Sequence, residues 1–408
     1  MTSGQDEISD EFDAAALVSL TSALVRVRTV HDSESAEVEA PAAELLATTM
    51  RGFGWDVTVT VVAPGRPNVV AQVHGAGPGR TLMFEGHLDV VTEADPDLWS
   101  FDPFGGEVIN GRLRGRGSAD MKSGVAAMVH AARAVQLGGF HGRIILGALA
   151  DEEGMMLGAK HFAGDVRAGL WGSIDGVIVC EPEGGEVCPV AKGAIRLQVE
   201  LIGVMAHGAM PQMGRNPVPT IGSLLVGLDQ IQQAIRAQTG THPLLGEFSL
   251  TPTVLRAGSH DQINVIPATA TLSVDIRTVP GVDHRMLIEL ITRLADTLAA
   301  ESGLHARVTV IDDRPPVDTP VDSPVVQAMF VGHQAATGRP AVLGGVPGTT
   351  DGTILTRDAG LPTVVYGPGG KWIAHQADEY VEVEDIVIST RAYISAARHF
   401  LADRQPLG

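Results

Sequence analysis

The chain contains few cysteines and no long run of apolar residues. Cys180 and Cys188 are its two cysteines among 408 residues, too few for a disulfide framework and consistent with a reducing compartment. No segment approaches the roughly 18–20 consecutive apolar residues that span a bilayer. The first residues are acidic and lack the basic stretch of a secretory signal. We therefore expect a cytoplasmic protein that is not inserted in a membrane.

Positive charge is also scarce. The chain has 29 Lys and Arg residues against 48 Asp and Glu residues, a net charge of −19. Such a surface repels nucleic acid and anionic membranes and argues against a polyanionic substrate. We expect neither nucleic acid nor a membrane as partner. Hydrophobic residues make up 44% and charged residues 19%, as in ordinary globular proteins, and the length predicts two or three domains.

Strands alternate with helices in the first and last parts of the chain. The apolar spacing predicts strands over residues 57–62, 69–73, 81–84, 143–149, 176–179 and 364–366. It predicts helices over residues 12–27, 38–50, 125–137, 157–162, 323–337 and 383–401. This alternation indicates an α/β fold with a mostly parallel sheet sandwiched by helices.

The middle of the chain has a different order of elements. Strands are predicted over 194–202, 250–256, 270–277 and 307–311, and helices over 218–237 and 283–300. The order β-α-β-β-α-β is that of a compact, ferredoxin-like α+β unit. We predict that residues 193–314 form an inserted domain, and that residues 1–192 and 315–408 form one catalytic, zinc-binding domain.

Five short segments offer metal ligands or proton carriers. They comprise residues 86–89, 118–122, 151–154, 180–182 and 373–375. In the first, His87 and Asp89 follow an apolar strand and, being two apart, share one face of an extended chain. One of them can bind a metal while the other orients it, since ligands gather at the carboxyl ends of parallel strands.

The second segment contains Asp120 after a glycine-rich stretch. That stretch lacks a Gly-Lys-Ser/Thr ending and the spacing of a dinucleotide-binding loop, so we exclude a nucleotide site. Asp120 precedes a helix and could cap it. Alternatively, its two carboxylate oxygens could bridge two cations.

The third segment, with Asp151, Glu152 and Glu153, is the strongest single signal. Three adjacent acids at the end of a buried strand repel one another and are costly to desolvate. A bound cation would remove that cost, whereas a solvated turn is the alternative interpretation. Adjacent glutamates point in different directions, so one can bind a metal while the other faces a bound water.

Glu181 and His375 complete the candidate set. Glu181 again follows a predicted strand, and His375 lies in a loop. Imidazole and carboxylate ligands without a thiolate cluster disfavour iron–sulfur and structural zinc sites and suit Zn²⁺, with Co²⁺ or Mn²⁺ as substitutes. Two such ions sharing a carboxylate lie roughly 3.5–4 Å apart and can activate one water.

With these motifs in this order, nearly the whole chain resembles the di-zinc amidohydrolases and exopeptidases that include acetylornithine deacetylase, succinyl-diaminopimelate desuccinylase and carboxypeptidase G. The resemblance implies two Zn²⁺ per subunit and a cis peptide bond after Asp120. It implies that Glu152 is the general base, which moves a proton from a metal-bridging water to the leaving amine. The remaining roles are His87 and Glu181 as ligands of one ion, Glu153 and His375 of the other, Asp120 as the bridge, and Asp89 as the residue that orients His87.

The same resemblance implies that the inserted domain is a lid that forms a homodimer. His207 would reach across that dimer to stabilise the oxyanion, and Arg277 and Asn264 would lie near the substrate, where Arg277 can grip a carboxylate. Gly348, Thr350 and Gly369 match substrate-pocket loops. His207 could instead be a surface histidine, Asn264 a turn residue and Arg277 a salt-bridge partner.

The predicted function is hydrolysis of the amide bond of a small N-acyl amino acid with a free carboxylate. A carboxypeptidase or dipeptidase of the same family is the alternative within the enzyme class, and a catalytically inactive metal-binding scaffold is the alternative outside it. Relatives often have Pro where Thr92 stands, and Thr where Glu183 follows Glu181-Pro182. Both positions line the region that selects the substrate, so the sequence leaves the acyl group and side chain open.

Overall fold

The computed structural model describes residues 12–30 and 38–402. The acidic N-terminal residues, which the sequence distinguishes from a secretory signal, lie outside the described residues. The chain divides into two compact units: the first extends to residue 190 and includes 318–346 and the residues from 350 onward, and the second comprises 191–317 and 347–349. The catalytic and lid roles of these units, and the domain bounds at 193 and 314, stay predictions.

One large sheet forms the centre of the first unit. Its strands are β1 (Asp56–Ala63), β2 (Arg66–His74), β3 (Thr81–His87), β6 (Arg143–Leu149), β7 (Gly176–Val179), β8 (Glu186–Ala191), β15 (Val317–Asp318), β16 (Val342–Val346) and β17 (Thr363–Val365). The order is β1-β2-β6-β3-β7-β17-β8-β15, with β16 also paired to β8. The four central strands, β6, β3, β7 and β17, are parallel, whereas β2 and β8 pair with them antiparallel. The predicted mostly parallel sheet is confirmed at its centre.

Helices cover both faces of this sheet. They are α1 (Ala14–Arg26), α2 (Ala40–Gly52), α3 (Ser123–Gly138), α4 (Leu157–Arg167), α7 (Pro324–Thr337), α8 (Asp351–Ala359) and α9 (Val383–Ala402). Leu82 and Phe84 of β3 join a core cluster with α1, α2, α3, α7 and α9. Met83, between them, is equally buried and points to the opposite face, where α4 and α8 pack.

Several elements of this unit are missing from the sequence-based prediction, and the longest of them are β8 and α8. Strand β8 contains Pro189, a residue that normally argues against a strand because it donates no backbone hydrogen bond. Helix α8 follows Thr350, which lies in a stretch expected to be a loop and caps the helix by accepting a hydrogen bond from Gly352 N at 3.3 Å.

A small antiparallel sheet also lies in the first unit. It consists of β4 (Val108–Ile109), β5 (Arg112–Arg114) and β18 (Tyr380–Glu382), with β5 in the middle. Strand β5 runs towards Asp120, and β18 begins after His375. The small sheet therefore brings two distant candidate segments together.

The second unit is an α+β structure whose longer elements follow the predicted order, with two additional two-residue strands. Its strands are β9 (Gly193–Ile202), β10 (Ala206–His207), β11 (Ser249–Ala257), β12 (Val265–Ile266), β13 (Thr269–Thr278) and β14 (His305–Arg314), and its helices are α5 (Val218–Thr239) and α6 (His284–Glu301). The main sheet has the order β11-β13-β9-β14 and is antiparallel. Leu224 of α5 and Leu287 of α6 pack with Leu197 and Leu272 of the sheet in one apolar core. In the described part of the chain, no helix has the length and apolarity needed to cross a bilayer.

Candidate metal centre

Three neighbouring strands place candidate side chains at one edge of the large sheet. His87 is the last residue of β3, Glu152 and Glu153 follow β6, and Glu181 follows β7. Because β6, β3 and β7 are adjacent and parallel, their carboxyl ends lie side by side. The structure therefore brings the first, third and fourth segments together.

Asp89 fixes the geometry of the first and third segments. The Nδ1 atom of the buried His87 lies 2.9 Å from the Asp89 carbonyl oxygen and 3.5 Å from its carboxylate, so the backbone contact is the better hydrogen bond. The Asp89 carboxylate accepts hydrogen bonds from the backbone N–H groups of Glu152 at 3.1 Å and Glu153 at 3.0 Å. Asp89 thus holds the imidazole with its main chain and the acidic turn with its side chain.

Asp120 lies between the two histidines. Its Oδ1 is 3.3 Å from Nε2 of His87, and its Oδ2 is 3.3 Å from Nε2 of His375. Glu181 Oε1 is also 3.3 Å from the His87 atom, and Glu153 Oε1 is 3.0 Å from the His375 atom. Each histidine nitrogen is therefore shared by Asp120 and one glutamate. The peptide bond after Asp120 is cis, as the resemblance implied.

Buried negative charge dominates the electrostatics of this cluster. Burial, reinforced by Asp120, raises the pKa of Glu181 to about 8. Burial also raises the pKa of Glu152 well above its ordinary value. Hydrogen bonds to Asp120 and then Glu153 raise the pKa of His375 to about 10. Glu152 and Glu181 therefore need positive charge beside them to remain ionised.

Another acidic group in the first unit already has its cation. Glu183, Glu186 and Cys188 lie close enough together to hold a metal ion. However, the Lys371 ammonium is 2.9 Å from a carboxylate oxygen of Glu183 and 2.9 Å from one of Glu186. The lysine balances this group, so we do not regard it as a metal centre.

Three candidate substrate residues lie in the second unit. His207 is exposed in β10, and its Nδ1 accepts a hydrogen bond from Ala209 N at 3.0 Å. Asn264 is close to it, since its carbonyl oxygen accepts a hydrogen bond from Gly208 N at 2.6 Å. Arg277 forms a salt bridge with Asp275, with Nε 2.7 Å from Oδ1. The structure therefore places His207 and Asn264 close together. Arg277 forms a salt bridge, which was the alternative role that the sequence left open.

The remaining candidates lie on two loops. Thr350 is buried and caps α8, and Gly348 belongs to the second unit. Gly369 has a φ of +82°, and a side chain there would bring a Cβ to 3.2 Å from the Ala119 Cβ. The glycine-rich loop therefore packs directly against the residue before Asp120.

Comparison with known proteins agrees with this geometry. The sequence profile of Peptidase family M20/M25/M40 matches residues 83–399. The chain belongs to this family. As a member, it is a metal-dependent hydrolase of amide or peptide bonds.

Three similar proteins span almost the whole chain. The succinyl-diaminopimelate desuccinylase of Cereibacter sphaeroides is 32% identical over 395 residues, which cover 94% of this chain and 99% of that protein. The M20 metallo-carboxypeptidase Sso-CP2 of Sulfolobus solfataricus has a TM-score of 0.76 at 17% identity and covers 95% of this chain and 99% of its own. The dipeptidase Dug1p of Saccharomyces cerevisiae has a TM-score of 0.76 at 15% identity, covering 96% and 97%. The two structures show the shared fold.

Sequence reasoning missed several buried charged residues beside the candidate metal centre. Arg66 Nη1 lies 2.9 Å from Glu39 Oε1 and 3.1 Å from Asp151 Oδ1. The second contact anchors the start of the acidic turn at residues 151–154. Arg116 pairs with Glu379 behind Asp120. No local pattern marked these arginines, because an isolated Arg beside glycine or proline, as at both positions, is usually a surface residue.

Proposed function

We propose that this chain is a deacylase that hydrolyses the amide bond of a small N-acyl amino acid with a free carboxylate. The observation that carries this proposal is the position of Asp120, whose two carboxylate oxygens each lie 3.3 Å from a histidine Nε2, one of His87 and one of His375. The name of the Cereibacter sphaeroides relative favours an acyl amino acid over a peptide as the substrate.

The proposed cofactor is a pair of divalent cations in each subunit. We assign His87, Asp120 and Glu181 to one ion, and Asp120, Glu153 and His375 to the other. Nε2 of His87 supports this assignment, since it makes no hydrogen bond to any described residue although two carboxylate oxygens lie 3.3 Å away. The donor set of imidazoles and carboxylates suits Zn²⁺, with Co²⁺ or Mn²⁺ as substitutes.

The charge of the cluster supports the same cofactor. His87, Glu152 and Glu181 place potential ligand atoms within 4.8 Å of one another, and all three residues are buried. Without a cation, such carboxylates lose solvation and repel one another. Two bound cations would polarise the substrate carbonyl and lower the pKa of a water molecule.

Glu152 is the proposed general base. Asp89 holds its backbone N–H at 3.1 Å, and burial raises its pKa well above that of an exposed glutamate. Its carboxylate therefore binds a proton more readily than a solvated one. Glu152 takes the proton of the attacking water and delivers it to the leaving amine nitrogen, while Asp89 acts as a positioning residue.

Five residues are proposed to contact the substrate. Arg277 is the proposed partner of the substrate carboxylate, because a guanidinium can bind a carboxylate through two nitrogens. In this role it would exchange the Asp275 carboxylate, which it binds at 2.7 and 3.3 Å, for that of the substrate. Further proposed contacts are Asn264, Gly348, Thr350 and Gly369.

A homodimer through the second unit is part of the proposal. Strand β11 is an edge of its sheet and exposes apolar side chains, including Val254 at 43% and Leu255 at 55%. An exposed apolar edge strand is a ready surface for pairing with a second copy. In that dimer, the partner subunit's His207 stabilises the oxyanion. We also propose a cytoplasmic location, which is supported by the two free cysteines, Cys180 and Cys188.

A substrate panel tests this function. The purified chain, loaded with zinc, cobalt or manganese, is assayed for free amine released from N-succinyl, N-acetyl and N-formyl amino acids and from dipeptides. We expect kcat/KM to be highest for an N-acyl amino acid and to fall when its carboxylate is converted to an amide. Faster cleavage of dipeptides would favour the carboxypeptidase or dipeptidase alternative. Two bound metals without any hydrolysis would favour the inactive scaffold.

A further inference from the structure

A buried ion pair joins the segment before Asp120 to the segment after His375. Arg116 is 2% exposed and Glu379 is fully buried. Arg116 follows β5 and Glu379 precedes β18, and the pairing of these two strands sets the residues side by side. This salt bridge is shielded from solvent and therefore differs from a surface ion pair, which usually contributes little to the free energy of unfolding.

The Glu379 carboxylate holds the backbone at Asp120. Its Oε1 accepts hydrogen bonds from Ala119 N at 3.0 Å and from Asp120 N at 3.2 Å. Its Oε2 accepts a hydrogen bond from Arg116 Nη1. One carboxylate thus fixes the peptide that carries the Asp120 side chain and is itself neutralised by the guanidinium.

The Arg116 guanidinium holds two further segments. Its Nη2 donates to the Thr92 carbonyl oxygen at 3.3 Å and to the His375 carbonyl oxygen at 3.4 Å. Its guanidinium carbon lies 5.1 Å from the centre of the Trp99 ring. A planar group with five N–H donors can serve all of these partners at once, whereas a lysine ammonium cannot.

We propose that Arg116 and Glu379 are positioning residues of the metal centre, which together set the placement of Asp120 and His375. The proposal rests on the proposed function, in which Asp120 bridges the two cations and His375 binds one. A bridging carboxylate must present both oxygens in a narrow range of positions, so the groups that hold its backbone affect metal affinity. Neither positioning residue is among the proposed metal ligands or substrate contacts.

The chain contains a matched control for this pair. Arg112 and Glu382 join the same two strands through an Nε–Oε1 contact of 2.8 Å, and Arg112 lies over the Tyr380 ring at 4.2 Å. Their side chains are 46% and 39% exposed. If the buried pair served only to hold β5 to β18, the loss of either pair would leave metal affinity unchanged.

The test compares Arg116→Lys and Glu379→Gln with Arg112→Lys and Glu382→Gln. The affinity of the metal-free proteins for zinc is measured by competition with a chromophoric chelator, and kcat and KM are measured on the zinc-loaded proteins. We expect the Arg116 and Glu379 variants to bind zinc about 10- to 100-fold more weakly and to lose kcat more than KM. We expect the control variants to stay within about threefold of the original chain.

Each outcome decides the proposal. Zinc affinity of Arg116→Lys and Glu379→Gln equal to that of the controls would overturn it, even if their melting temperatures were lower. Should Arg116→Lys fail to fold by circular dichroism, Glu379→Asp, which keeps the charge but withdraws it by one methylene, is judged by the same criterion. If the original chain binds no zinc or cleaves no amide, the proposed function itself fails, and this proposal with it.

Discussion

The Asp89 carboxylate accepts a hydrogen bond from the backbone N–H of Glu152 at 3.1 Å. This contact joins the residues after β3 to the turn after β6. The Asp89 carbonyl oxygen also lies 2.9 Å from Nδ1 of the His87 ring. A proposed metal ligand and the proposed general base are therefore held by one residue. Its removal should disturb catalysis more than folding.

Asp89→Asn tests this link. The asparagine keeps the shape but has one acceptor oxygen for the N–H groups of Glu152 and Glu153, and its own NH₂ group would face the second of them. We expect kcat to fall about 10- to 100-fold, with a smaller change in KM.

Steady-state kinetics of the zinc-loaded protein make the measurement. The matched control is Asp95→Asn, since Asp95 is exposed and accepts a hydrogen bond from Asp97 N at 3.0 Å. A kcat for Asp89→Asn equal to that of the control would refute the link.

Glu39→Gln tests the buried charge around Arg66. Burial, followed by the charge of Asp89, raises the pKa of Glu39 from 4.5 to about 9, although Arg66 acts in the opposite direction and Asp151 adds to the rise. The folded state keeps a proton that the unfolded state loses above pH 4.5. The stabilisation that the folded state gains by binding this proton is therefore complete below that pH, and it is lost as the pH rises towards 9.

The measurement is the free energy of urea unfolding of the metal-free chain and of Glu39→Gln between about pH 5 and 8. The original chain should lose stability relative to the variant by up to about 1.4 kcal/mol per pH unit. Glu44→Gln, in the helix that begins directly after Glu39 and 70% exposed, is the control. A difference between original and Glu39→Gln that is flat with pH, like that of the control, would show that Glu39 is ionised throughout.

Gly124→Ala tests how closely α3 approaches the Glu181 segment. A Cβ at Gly124 would lie 2.0 Å from the Cys180 carbonyl oxygen, so the backbone that carries Glu181 must shift. We expect a loss of about 1–3 kcal/mol in the free energy of unfolding and a lower affinity for zinc.

Gly222→Ala provides the contrast. Gly222 is an exposed residue inside α5, and a Cβ there meets nothing within 4 Å. This substitution should stabilise the protein by about 0.5–1 kcal/mol, because alanine loses less conformational entropy in a helix. If Gly124→Ala kept or raised the free energy of unfolding, as expected for Gly222→Ala, the close approach of α3 would be refuted.

The segments at strand ends were accessible from sequence because each follows a recognisable apolar strand. His87, Glu152 and Glu181 all stand just after such runs, and the parallel order of β6, β3 and β7 puts them together. His375 has no such neighbour, since it lies in a loop at a φ of +64°, and the resemblance to a known family placed it.

The buried charges could not be predicted in the same way. Arg116 is buried because Glu379, 263 residues later in the chain, lies beside it. Arg66 likewise depends on Glu39 and Asp151, which come from two other elements. A local pattern records hydrophobicity and spacing, whereas such pairs follow from the assembled fold.

The most direct test of the proposed chemistry measures metal content and turnover on one preparation of Glu152→Gln. Glutamine keeps the size of the side chain but cannot accept the proton of the attacking water. We predict two zinc ions per subunit, as in the original chain, and a kcat lowered about 10²- to 10⁴-fold. Full zinc content with turnover near that of the original chain would contradict the role of Glu152 as general base.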